Sequence, residues 1–140
     1  MEFTLPRTGK PPLKFRGRLL AESDGERATG RDQNRWHELA VYSAGVGPTG
    51  LACYVVRIAY RTRWQGELDH DYATVVETAE MVTSTFSAHS PANDVRGYPP
   101  GDAYAERQAR LVADVQERYL AQVSEVLSAD EFAERLGATD

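Results

Sequence analysis

The chain has 140 residues, of which 41% are hydrophobic and 26% charged. That is enough apolar side chain for one globular domain, which argues against a disordered chain, and no apolar run approaches the roughly 20 residues a membrane helix needs. The net charge of −5 is unevenly spread: residues 1–70 carry 11 Lys/Arg against 8 Asp/Glu, and residues 71–140 carry 5 against 13.

Residues 1–12 hold Pro6, Gly9, Pro11 and Pro12, which break helices and remove ladder donors, so they predict a flexible N-terminal arm ahead of a single domain over 13–140. This start lacks an apolar centre followed by a small-residue cleavage site, so the expected compartment is the cytoplasm. In residues 13–20, Leu13, Phe15 and Leu19 alternate with Lys14, Arg16 and Arg18, the pattern of a half-buried strand with a basic outer face, and Gly17 is a candidate bulge. Residues 22–34 are polar and read as a long loop.

Residues 35–43 alternate again, with His37, Leu39 and Val41 on one parity and Trp36, Glu38, Ala40 and Tyr42 on the other. Three glycines and Pro48 over 44–50 make a hairpin loop. Residues 51–64 then form the clearest strand, with Tyr54, Val56, Ile58, Tyr60, Thr62 and Trp64 predicted inward and Arg57, Arg61 and Arg63 outward. Cys53, the one cysteine, excludes an internal disulfide and a cysteine-based zinc site within the chain, and reads as a small apolar residue.

Asp71 is a candidate N-cap for a helix over 71–86, in which Tyr72, Val75, Val76, Ala79, Val82, Thr83 and Phe86 make an apolar stripe to pack on the sheet. Residues 87–101 are a loop by composition. Asp102 caps a second helix to about Val126, and Ser128-Ala129-Asp130-Glu131 is a capping box for a third. The predicted fold is therefore α+β: an antiparallel sheet of three or more strands packed on one face by a helix, followed by two C-terminal helices.

Function is less legible. If the first and third predicted strands share orientation, Lys14, Arg16, Arg18, Arg57, Arg61 and Arg63 converge on one basic sheet face, joined by Arg35, Trp36 and Trp64 as candidate binding residues. Guanidinium forks suit carboxylate or phosphate, and indoles can stack on bases. The expectation is a small non-enzymatic binding or accessory protein, acting through that face or through exposed helices on a protein partner. The alternatives are a nucleic-acid-binding protein using the same face and a small metal-dependent hydrolase using His37, His70, Glu67 and Asp69. The His/carboxylate spacings match no mechanically justified metal motif, and no cofactor fingerprint is present. His89, Ser90 and Asp94 share a loop without a nucleophile elbow and do not suggest a catalytic triad. The long second helix has a stripe wide enough to predict a homodimer.

Overall fold

The computed structural model describes residues 1–24, 35–44 and 53–129. Five strands, β1 (Glu2–Arg7), β2 (Lys10–Ser23), β3 (Arg35–Ala44), β4 (Cys53–Thr62) and β5 (His70–Val76), form an antiparallel meander in sequence order. They are followed by helix α1 (Ala79–Ala88), a 3-10 turn (Pro91–Asp94) and helix α2 (Asp102–Leu127). The α+β class and the antiparallel hairpin of β3 and β4 agree with the sequence pattern. The predicted loop between them and the predicted third helix from Asp130 onward lie outside the described residues.

Two expected elements differ. The first is the arm: Glu2–Arg7 is a strand, paired Phe3↔Phe15 and Leu5↔Leu13. Pro6 is tolerated because β1 is an edge strand whose register is irregular between Leu5 and Arg7, and Pro11 and Pro12 open β2 ahead of its pairing with β3, which begins at Gly17. The second is the start of the first helix. Residues 70–76 are β5, paired Ile58↔Tyr72 and Tyr54↔Val76, and α1 begins only after Thr78, whose side chain caps the Met81 N–H at 3.2 Å. The β-branched run Thr74-Val75-Val76 favours a pleated strand, and Val75 is 51% exposed where a helical stripe would have buried it.

Both faces of the sheet are covered. On one, Leu39, Val41, Val56 and Ile58 meet Val82 and Phe86 of α1 and Tyr119, Val123 and Val126 of α2. Each such side chain, once fully buried, contributes about 1.5–3 kcal/mol. The α2 stripe is thus largely spent on the sheet. On the other face, the β1–β2 hairpin folds over Ala40, Tyr42, Val55 and Ala73 with Phe3, Leu5, Leu13 and Phe15. Its tip reaches β5, where the Thr8 N–H donates to the Asp71 carbonyl and the Asp71 N–H donates to Thr8 Oγ1, both at 2.8 Å.

A bulge in β2 lets one strand serve both layers. The register shifts between Leu19 and Ala21, so Leu13, Phe15 and Leu19 face the hairpin layer while Leu20 and Ala21 face the helices. The expected bulge at Gly17 falls three residues later. Gly17 instead permits close approach, because a Cβ there would lie 1.9 Å from the Ser43 carbonyl oxygen.

Candidate functional site

Strand pairing sets His37, Tyr60 and His70 in one row across β3, β4 and β5 on the helix face, since His37 opposes Tyr60 and Tyr60 opposes His70. The α1–α2 connection delivers the remaining groups. Helix α1 stops because Pro91 lacks an N–H and forces the preceding residue out of the helical region, leaving His89 and Ser90 extended. His89 is the C-cap, and the 3-10 turn that Pro91 opens ends on Asp94.

These pieces converge on one carboxylate. His37 Nε2 and His89 Nε2 each lie 2.8 Å from Asp94 Oδ2, and the Tyr72 hydroxyl donates to Asp94 Oδ1 at 2.9 Å. The side chains of Asp94, His37 and His89 are 0%, 3% and 13% exposed. Around them, the Tyr119 ring stands 5.2 Å from the His37 ring and 5.6 Å from that of His89. Its hydroxyl donates to the Phe86 carbonyl at 2.8 Å, which meets one of the backbone acceptors left over at the end of α1. Gln122 of α2 donates to the His37 carbonyl at 2.7 Å and to Ser23 Oγ at 3.2 Å, pinning the strand beneath.

Protonation follows from burial. Removal from water disfavours the imidazolium and pulls the His37 pKa below its ordinary value, although the hydrogen bond with Asp94 works the other way. Burial alone would push Asp94 up, but the hydrogen bonds from His37 and His89 outweigh it and hold the carboxyl well below the usual range. The Tyr72 phenol is pushed up to about 12, first by burial and then by its bond to Asp94. The centre is therefore a buried carboxylate surrounded by hydrogen-bond donors, two of them ring nitrogens that can also serve as metal ligands.

A cleft of about 430 Å³ opens beside it, lined by Glu67, His70, Asn93, Asp94 and Arg96 among others. At its edge Glu67, with its side chain 5% exposed, takes both carboxylate oxygens to Arg35 Nε at 3.1 and 3.0 Å and accepts the Tyr60 hydroxyl.

The residues proposed from sequence separate into groups. Lys14, Arg16 and Arg18 are exposed on the outer side of β2. Arg57 and Arg61 point into the hairpin side of the sheet and are paired internally: Arg57 with Glu38 at 3.1 Å, and Arg61 with Asp71 at 2.7 Å, Glu38 at 3.7 Å and Asp69 at 4.0 Å. Arg63 lies over the Trp36 ring at 5.3 Å and Arg35 over the Trp64 ring at 5.0 Å. The six cations do not share one face, because β2 turns its basic parity outward while β4 turns its own inward.

Of the quartet His37, His70, Glu67 and Asp69, the first two flank Tyr60, and Glu67 is held by Arg35 and Tyr60. Asp69 turns away to the Thr62 N–H at 3.0 Å. Sequence reasoning missed the partnership of His37 with His89 and Asp94, which lie 52 and 57 positions on. The available signal was His37 itself, a titratable residue on the same strand parity as Leu39 and Val41.

No helix among the described residues is long and apolar enough to cross a membrane. Comparison with protein families, with characterised proteins and with solved structures found no match, so the functional reading rests on geometry.

Proposed function

We propose that this is a small non-enzymatic binding protein, accessory or regulatory in role, whose ligand is taken at the His37–His89–Asp94 centre and the cleft beside it. One observation carries this reading: a fully buried carboxylate is gripped on one oxygen by two imidazoles at 2.8 Å and borders a cleft of about 430 Å³. Burying a charged carboxylate is costly unless its surroundings repay it, and a site of this kind is where a specific ligand is recognised.

Approach to the centre is from the cleft side, since the Asp94 and His37 side chains are themselves 0% and 3% exposed and Asp94 is the member of the triad that also lines the cleft. The groups facing the cleft are positioned to recognise a polar molecule: Asn93 and Arg96 supply hydrogen-bonding groups.

The test is protein-observed NMR with the small-molecule fraction of a cell extract. Shifts concentrated at Glu67, His70, His89, Asn93 and Arg96 would support the reading. A titration that leaves all five unmoved removes it.

A second reading is favoured by Lys14, Arg16 and Arg18, exposed at every second position of β2. It is a contact for an acidic protein partner or a nucleic-acid backbone, confined to this stripe instead of extending over β4.

A further inference from the structure

We infer that the ligand of the His37–His89–Asp94 centre is a divalent transition-metal ion of the zinc, cobalt or iron(II) class, bound through His37 Nε2, His89 Nε2 and an oxygen of Asp94. This rests on the binding reading above and names its ligand. The donor set decides the class. Two imidazoles and one carboxylate suit borderline divalent ions, whereas magnesium and calcium favour all-oxygen sites and soft ions favour thiolate, which this cluster lacks.

Geometry agrees. The three ligand atoms lie within 4.8 Å of one another, and each nitrogen is 2.8 Å from Asp94 Oδ2. Atoms that share an ion at about 2.1 Å sit roughly 3.0–3.4 Å apart, so each nitrogen need only part from Asp94 Oδ2 by a few tenths of an ångström, while the two nitrogens, within 4.8 Å of each other, settle to the same spacing. The charge also fits. Asp94 brings a carboxylate into a closed interior, where a cation bound on its free lone pairs would compensate it.

The supports are those a metal site uses. Tyr72 donates to the other carboxylate oxygen at 2.9 Å and fixes the orientation of Asp94. Three protein donors leave coordination positions open, and the cleft bordered by Asp94 offers an entry path. His70, the third histidine of the chain, lines that cleft but lies outside the ligand cluster. It therefore serves as an internal control.

Metal binding makes a specific demand on the protons. Both Nε2 atoms must exchange their N–H for a lone pair, so His37 and His89 must carry the ring proton on Nδ1 once the ion is bound. The experiment is titration of the full chain, without an affinity tag and stripped with chelator, by Zn²⁺ and by Co²⁺. Calorimetry and long-range ¹⁵N–¹H imidazole spectra read the result for wild type and for the His89→Gln, Asp94→Asn and His70→Gln variants. His89 lies at a helix end outside the buried core clusters, and glutamine keeps a polar side chain of similar reach there, with circular dichroism and urea unfolding of each variant checking that it folds.

The expected result is one equivalent bound. His89→Gln and Asp94→Asn should each weaken binding by at least about 100-fold, His70→Gln should stay within about threefold, and the two ligand imidazoles should become Nδ1-protonated. Failure of wild type to bind one equivalent, an equal loss in His70→Gln, or unchanged tautomers would overturn the inference. If the metals fail while small molecules from extract still shift the cleft residues, the metal assignment falls and the binding reading stands.

Discussion

Arg61→Gln tests whether the second face of the sheet is truly enclosed. The Arg61 side chain is 20% exposed and Asp71 18%, with 2.7 Å between NH2 and Oδ1, and Glu38 and Asp69 stand at 3.7 and 4.0 Å. The hydrogen bond to Asp71 is the leading reason that the Arg61 pKa is raised. Removing the cation takes from Asp71 its 2.7 Å ion pair and leaves Glu38 paired with Arg57. A buried charged hydrogen bond is worth about 1.5–3 kcal/mol, and the one-fifth exposure together with the donor retained by glutamine reduces this to about 1–2 kcal/mol.

For a domain of 140 residues that is a fall in Tm of roughly 3–7 °C. Urea unfolding followed by the fluorescence of Trp36 and Trp64 gives the free energy. A double-mutant cycle with Asp71→Asn should return a coupling of about 1 kcal/mol. If Arg61→Gln lies within about 0.5 kcal/mol of wild type, the pair behaves as an exposed one and the enclosure argument fails.

Gly17→Ala should cost at least about 2 kcal/mol in urea unfolding, because its Cβ would meet the Ser43 carbonyl at 1.9 Å and push β2 off β3; a neutral variant would contradict that pairing. In alkaline titration at 295 nm, Tyr42, Tyr60, Tyr72 and Tyr119 should ionise late, since burial raises all four, Tyr72 to about 12. A raised native pKa means that their contribution to stability is complete below the unfolded value of about 10 and is lost as pH climbs from there through about 12 for Tyr72. All seven tyrosines titrating together near 10 in folded protein would refute the shielding of these four hydroxyls. Replacing Lys14, Arg16 and Arg18 together by glutamine should leave stability within about 0.5 kcal/mol. Heparin affinity should fall, with a salt slope flatter by roughly 0.7–0.9 for each cation that had neutralised an anionic group, whereas an unchanged slope removes the polyanion reading of that stripe.

The sheet was legible where alternation was clean. Tyr54, Val56, Ile58 and Tyr60 do face the helices, because a strand with four large apolar residues on one parity has no cheaper way to hide them. The outward reading of the β4 arginines failed because Val55 and Ala59 share their parity and are both fully buried, and the covering element was a proline-bearing hairpin that composition alone makes look loose. Helical spacing in Tyr72, Val75 and Val76 misled for a related reason: pairing with β4 stabilises an extended backbone that no local pattern announces. The site was hidden more deeply. His37 comes from a strand, while His89 and Asp94 owe their placement to a helix stop and a proline turn, and only the packing of α1 onto β4 and α2 onto β3 brings them within 3 Å.

The most direct measurement of the central claim is an anomalous difference map from crystals of the protein grown with Zn²⁺, recorded above and below the zinc edge. One strong peak is expected about 2.1 Å from His37 Nε2, His89 Nε2 and an Asp94 carboxylate oxygen, with Tyr72 still on the other oxygen. A map with no peak there, or with zinc on His70 and Asp69 instead, would contradict it.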